Sequence, residues 1–491
     1  MAQREYSHPE QPGVPGSQVF ETDRNWELVC ACVREALDRS GADPDRVAAV
    51  SATSMREGMV LYDARGREIW ACPNVDSRAS EEAAELVRTG AAEEIYARAG
   101  DWVAITAPAR FLWLARHEPE IFASIAHVGM LGDWILTRLS GAFATDASLG
   151  SSSAMFDLAE RDWSDRVLEI CGLERDLFPP VVESGTVVGA VTPEAAAATG
   201  LRAGTPVVAG GADTQLGLVG IGVVDAGRFT VVGGTFWQHT IVLDEPLVDS
   251  QARLRTLCHT LPGQWMMEGI GFYCGLTMRW FRDAFCEAEK EQAAREGKDV
   301  YELLEERAAA VAPGANGVFG IFSNLMEAKH WVHASPAFIG FDVAAPERSG
   351  KKECFRAIEE GAAYVSLGHL RIVQEVSGLL VDEVVFTGGG AKGTLWPQIL
   401  ADVLGLPVRI PVVKESTALG AAVYAGVGAG LYDGVPEVVG RIVRFERTVE
   451  PNPRAHETYR ALYDDWTDLY GRSLELTEAG VVRPLWRAAG T

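Results

Sequence analysis

Apolar and polar positions along this chain follow two periods, and the switches between them outline its elements. Apolar side chains recur every three to four positions over 25–40, which predicts an amphipathic helix. Helices are also predicted over 81–89, 91–99, 110–116 and 133–139. Residues 47–51 are a short apolar run, read as a strand. Residues 59–63 and 68–71 flank a turn at Ala64, Arg65 and Gly66 and predict a hairpin. Three later segments share one design, an apolar strand running into a polar or glycine-rich tip: 206–211, 228–232 and 383–386. The last continues through Thr387, Gly388, Gly389 and Gly390 into a predicted helix over 395–403. Strand, glycine and helix in that order predict an α/β architecture.

Length sharpens this picture. A single core stops growing near about 250–300 residues, so 491 residues predict two domains. The break is placed within 220–226, between two glycine-tipped strands, giving domains of 1–222 and 223–491. Residues 287–307 are charged and read as a helix with a solvated face. Sixty-eight acidic residues against 44 basic ones leave a formal charge of -24. Such a field repels phosphate backbones and argues against a nucleic-acid partner. A nucleotide is itself an anion, and would need local backbone N–H groups and Mg2+ to bind. Eight scattered cysteines, mostly in apolar stretches and without a C-x-x-C pair, predict buried thiols in a reducing cytoplasm. Residues 1–15 hold no apolar signal core. The most membrane-like segment, 418–432, is interrupted by glycine and shorter than the about 20 residues of a span. A soluble cytoplasmic protein with no membrane partner is expected.

Candidate chemistry gathers at the strand tips. Gly210-Gly211-Ala212-Asp213-Thr214-Gln215 brings a carboxylate to the end of a strand among small residues. Phosphoryl transfer to an alcohol needs a carboxylate that accepts the proton of the attacking hydroxyl, and small neighbours let a substrate close in. An ordinary turn aspartate has the same spacing. Gly233-Gly234-Thr235 can wrap backbone N–H groups around a phosphate, although a plain tight turn reads the same way. Gly388, Gly389 and Gly390, with Lys392 and Gly393 before a helix, suit a flat anionic ligand better. Their spacing also fits a dinucleotide fingerprint, the basis of a dehydrogenase alternative, but a lone match of this kind is common by chance. Arg56 and Glu57, in the polar turn 54–58, can grip vicinal hydroxyls, Arg donating and Glu accepting. As an exposed surface pair they would contribute little. His330 and His333 are spaced H-x-x-H without a third ligand, which disfavours zinc. No P-loop, zincin or nucleophile-elbow motif occurs in the sequence.

Taken in order, these pieces resemble the FGGY carbohydrate kinase family. The likeness is carried by Gly132-Asp133-Trp134 with Thr145-Asp146-Ala147-Ser148, then the Asp213 segment, then Gly275-Leu276 with Trp280-Phe281-Arg282-Asp283. It continues through Glu360-Gly361-Ala362-Ala363-Tyr364, the glycine triad at 388–390, and Glu415-Ser416-Thr417-Ala418-Leu419-Gly420-Ala421-Ala422. Each piece alone is weak, and the ordered series is specific. The resemblance implies two ribonuclease-H-like (actin-like ATPase) domains flanking a cleft. The first would bind a small sugar-like substrate and the second ATP with Mg2+. It implies Asp213 as general base, with Arg56, Glu57, Gln215 and Asp133 binding substrate. Gly234 and Thr235 would hold phosphate, and Gly388, Gly389, Gly390 and Lys392 would line the adenosine side.

Residues 323–331 depart from the family's usual Gly-x-Gly-Ala-Pro-x-Trp loop. Together with 54–58, 70–76, 233–238 and 277–286 they resemble one branch of the family. Its acceptor is 4,5-dihydroxypentane-2,3-dione, phosphorylated on the terminal hydroxyl. A xylulose, ribulose or glycerol kinase is one alternative, and a sugar sensor that makes no ADP is another. The family's opening strand and hairpin, with Asp-x-Gly-Thr-x-x-x-Arg, has no counterpart here. Residues 15–26 already resemble the family's segment beyond that hairpin, and 1–6 read as strand interior. A first domain without its opening strands is therefore expected, through either a misplaced start or a real shortening. Such a chain is expected to be a poor kinase, and equal turnover with and without upstream codons would refute that.

Overall fold

The computed structural model describes residues 1–488. Two parallel strand pairs organise it. Val50–Ser54 lies parallel to Pro206–Ala212, and Val187–Ala190 runs antiparallel along the latter's other edge. The second sheet has seven strands in the order Arg255–Cys258, Trp265–Gly271, Trp237–Leu243, Phe229–Gly233, Val384–Gly388, Val408–Pro411, Phe445–Val449. Its central pair, Phe229–Gly233 and Val384–Gly388, is parallel, with Gly233 opposite Gly388. These strands are covered on both faces, which is why their sequences are continuous apolar runs rather than alternating ones. The predicted hairpin forms from Met59–Tyr62 and Glu68–Cys72, and His127–Met130 adds a third strand.

The long helix Lys351–Ser377 runs through the core of the second half, and every residue from 353 to 370 is buried. One of its buried carboxylates is answered locally: Arg356 donates to Glu360 at 2.7 Å, and the Tyr459 hydroxyl donates to the same carboxylate at 2.8 Å. The two halves meet where helix Asp213–Gly220 crosses helix Ser416–Gly428. A Cβ on Gly220 would lie 1.9 Å from the Ser416 carbonyl oxygen, and one on Gly420 would lie 2.0 Å from that of Leu216. Backbone therefore touches backbone, which accounts for Gly420 in the apolar run 418–432. The halves also meet along the edge strand Arg255–Cys258. Thr256 donates its N–H to the Gly100 carbonyl at 2.9 Å, and Cys258 donates its own to Ser151 Oγ at 3.0 Å.

Three expectations change. The strand predicted at 47–51 forms at Val50–Ser54, where pairing with Pro206–Ala212 sets its limits. Residues 1–10 form no strand; an Arg4–Glu35 ion pair and Arg39, donating to the Met1 carbonyl, hold their start. The charged helix predicted over 287–307 is two helices, Glu287–Glu296 and Val300–Ala309. Gly297 ends the first at φ +67°, and the Asp299 side chain caps the second. Val50–Ser54 is an edge strand, bordered by a cavity of about 520 Å3 against Ala418, Ala421, Ala422 and Ala425. All eight cysteines are free. Among the described residues, no helix is long and apolar enough to cross a membrane.

Candidate active site

Asp213 opens its helix directly after the strand Pro206–Ala212. The two glycines before it are needed for close approach. A Cβ on Gly210 would lie 2.0 Å from the Ala52 carbonyl oxygen of the paired strand. One on Gly211 would lie 2.3 Å from Thr260 Cγ2 of the second half. The Asp213 carboxylate accepts from its neighbour's N–H, Thr214, at 2.6 Å, while Thr417 Oγ1 donates to the Asp213 carbonyl at 3.1 Å.

Arg56 and Glu57 lie in the turn between strands Val50–Ser54 and Met59–Tyr62, and both are buried. Glu57 has φ +61°, a left-handed conformation that a side chain adopts at a cost of order 1–3 kcal/mol. Arg110 fixes that turn by donating to the carbonyls of Glu57, Pro73, Asn74 and Asp76. Arg56 makes a bidentate pair with Glu268 across the halves, at 3.1 and 3.0 Å, and its Nε lies 3.8 Å from Asp213 Oδ1. Arg255 donates to Glu268 at 2.9 and 2.7 Å, to Glu57 at 2.7 Å and to Asp101 at 3.4 Å. Two guanidinium groups thus face four carboxyl groups.

Five of these six side chains are shut in, with exposures of 0–6%, whereas that of Asp213 is 42% exposed. Burial first, and the neighbouring charges after it, set the acidities. Although part of its side chain is exposed, the Asp213 carboxyl is ringed by protein, and this loss of hydration raises it above the usual aspartate range, with Arg56 pulling the other way and Glu57 and Glu268 adding repulsion. Burial likewise pushes Asp101 up to about 6, Arg255 opposing it. Burial also works against the Glu268 anion, but its two guanidinium partners prevail and hold it below its ordinary value.

The remaining expected residues fall in different places. Gln215 is fully buried and donates to the Cys258 carbonyl at 3.1 Å. Asp133 accepts from the Met130 N–H at 2.9 Å and so caps its own helix. Among the described residues, no hydrogen bond or ion pair joins it to Asp213, Arg56 or Glu57. Burial, with Asp146 as a like-charged neighbour, raises the Asp133 carboxyl well above its ordinary value. Gly234 and Thr235 are exposed, beyond the end of Phe229–Gly233; Gly388, Gly389 and Lys392 are exposed at the end of Val384–Gly388. Because Gly233 pairs with Gly388, the two glycine turns stand side by side. Gly388 has φ +90°, and a Cβ on it would lie 2.7 Å from the Gly233 carbonyl oxygen. The turns therefore present bare backbone, as a phosphate cradle requires. His330 meets Glu478 at 2.9 Å, and His333 is buried against Phe272 and Trp486.

The models of the FGGY family of carbohydrate kinases match this chain twice, the N-terminal domain over 2–220 and the C-terminal domain over 230–429. The chain belongs to the FGGY family of carbohydrate kinases. An FGGY kinase is a phosphotransferase with an alcohol group as acceptor, and ATP is its co-substrate. Among curated relatives, an autoinducer-2 kinase of Klebsiella pneumoniae subsp. pneumoniae is 47% identical, over 100% of this chain and 92% of that protein. An autoinducer-2 kinase of Escherichia coli (strain K12) is 47% identical, over 100% of this chain and 93% of that protein. The solved xylulose kinase of Rhodospirillum rubrum superposes with a TM-score of 0.83 at 26% identity, covering 96% of this chain and 93% of that one. Plasmodium falciparum glycerol kinase with ADP shares the FGGY fold, with a TM-score of 0.82 at 17% identity over 95% of this chain and 92% of that one.

Four residues of this FGGY site escaped the sequence reading: Asp101, Arg110, Arg255 and Glu268. Glu268 carried a signal, a charge inside an apolar strand, since such a charge is rarely buried unless paired; Arg255, the first residue of its strand, carried none.

Proposed function

We propose that this chain is an ATP-dependent kinase of autoinducer-2, transferring the γ-phosphoryl group to the terminal hydroxyl of 4,5-dihydroxypentane-2,3-dione. The observation that carries the mechanism is the contrast within the charge cluster: one carboxylate, Asp213, exposed among five enclosed partners. Asp213 takes the hydroxyl proton as the oxygen attacks. The oxygen–phosphorus bond forms, the bond to the bridging oxygen breaks, and ADP leaves. Arg56 and Glu57 grip the acceptor. Gly234 and Thr235 receive phosphate, and Gly388, Gly389, Gly390 and Lys392 line the nucleoside side. Gln215 and Asp133 act from behind the site by fixing backbone. The acceptor assignment rests on the autoinducer-2 kinases at 47% identity over the whole chain.

In this reading residues 1–222 carry the acceptor site and 223–491 the nucleotide site. Mg2+ would supply neutralisation of the phosphate charge; no group of three or more potential metal ligands occurs among the described residues. Eight free cysteines support a reducing, cytoplasmic setting.

The test is ADP release with the dione, D-xylulose, D-ribulose and glycerol as acceptors, for the wild type and Asp213→Asn. The dione should be preferred. Asp213→Asn should keep the wild-type melting temperature and acceptor affinity while kcat falls about 100- to 10,000-fold. Full turnover in that variant would remove Asp213 from the base role. Preference for a pentulose would move the substrate, and binding without ADP would leave a sensor.

A further inference from the structure

The acceptor grip proposed above is not set by its own half of the molecule. Glu57 is anchored there only through its backbone, by Arg110 at the carbonyl and Ser152 Oγ at the N–H. Among the described residues, its carboxylate has one side-chain partner, Nη1 of Arg255 at 2.7 Å, and Arg255 belongs to the edge strand of the second sheet. Arg56, the other arm of the grip, is likewise held from the second sheet, by Glu268. Arg255 ties these arms together, since its Nε and Nη2 bind the same Glu268 oxygen that Arg56 uses.

Resting on the kinase reading, we propose that Arg255 is a positioning residue for the acceptor. It holds the Glu57 carboxylate in the direction that receives a substrate hydroxyl, so the acceptor site is complete only when both halves are together. Three features carry this. Arg255 and Glu57 side chains are each 4% exposed, so neither charge can turn to water when its partner is lost. The guanidinium fork is planar, and with its Nε–Nη2 edge fixed on one Glu268 oxygen the direction of Nη1 is set. Its hydrogen bond falls on Glu57 Oε1, leaving the second carboxylate oxygen to the acceptor. Arg255 touches neither the glycine turns nor Asp213 in this arrangement, so its loss should weaken acceptor binding and spare the nucleotide.

The experiment uses the full chain as wild type, Arg255→Gln and Arg255→Lys, with Arg253→Gln as control. Arg253 pairs with Asp249 and Glu375, away from the site. Rates of ADP release are measured against acceptor and against ATP, with thermal melts alongside. A charge-assisted hydrogen bond is worth about 1.5–3 kcal/mol, so Arg255→Gln should raise the acceptor KM about 10- to 100-fold. The ATP KM should stay within about threefold of wild type, and Arg255→Lys, with charge but no fork, should fall between. Arg253→Gln should move neither constant. An unchanged acceptor KM in Arg255→Gln, or equal rises in both constants, overturns the proposal. Should Arg255→Gln fail to fold, Arg255→Lys decides alone: a selective rise in acceptor KM supports the role and no rise overturns it. The kinase reading fails separately. If the wild type prefers D-xylulose, the substrate assignment falls and the variants are compared on D-xylulose. If it turns over nothing, the kinase assignment falls and acceptor Kd by calorimetry judges Arg255.

Discussion

A proton acceptor in phosphoryl transfer works only when ionised, so in the general-base role proposed for Asp213 the acid limb of kcat/KM would report its acidity. Burial and the carboxylates of Glu57 and Glu268 raise it, while Arg56 lowers it. The limb should therefore lie above the ordinary aspartate value of about 3.9. Two substitutions move it in opposite directions. Arg56→Gln removes the cation 3.8 Å away, and the limb should shift to higher pH, with a weaker acceptor grip. Glu268→Gln removes a repelling anion and releases Arg56 toward Asp213, and the limb should shift to lower pH. Both variants moving the same way would mean that another group titrates in the limb. The sequence made Asp213, Arg56 and Glu57 legible because each is polar at the mouth of an apolar segment. It hid their regulators because a charge pair 212 residues apart leaves no local spacing to read.

Among elements, the glycine-tipped strands were the most legible feature and the strand limits the least. A glycine tip has a local cause. Gly388 must take φ +90° and pass close to Gly233, and no neighbour can supply that freedom. Gly388→Ala should accordingly push the two turns apart. The expected result is an ATP KM raised about tenfold or more with the acceptor KM unchanged, since displaced positioning groups act on the ligand they hold. A uniform rise in both constants would place the nucleotide elsewhere. Strand limits have a distant cause. Val50 faces Val207 and Ser54 faces Ala212, so a partner more than 150 positions away moved that strand three residues along. Residues 1–6, read as strand interior, meet no ladder, and Ala2 and Glu5 are of types depleted in strands. The charged run 287–307 was read correctly as helical but not as broken, although Gly297 and Asp299 are ordinary stop and start signals.

At the scale of the whole molecule, buried acids tie stability to pH. Burial pushes Asp146 up to about 6 against the pull of its bonds from Ser148 and Leu149, and Asp101 also reaches about 6. For each, the folded state holds its proton more tightly than the unfolded chain, where aspartate titrates near about 3.9. Between about pH 4 and 6 the native state thus binds more protons, and this contribution to stability is lost as pH rises through the folded value. The net charge of -24 acts in the same direction, since self-repulsion grows as acids ionise. The ion-paired Glu268 acts in the opposite direction, so the total slope does not isolate the buried acids. A difference measurement does. Asp146→Asn keeps an oxygen for the N–H groups of Ser148 and Leu149 but carries no charge to desolvate. The variant should melt close to wild type near pH 4 and progressively higher relative to it as pH rises, with the gap opening above about pH 4 and levelling off beyond the folded value of about 6. A gap independent of pH would show that Asp146 keeps one protonation state throughout, and that its three local hydrogen bonds outweigh its burial.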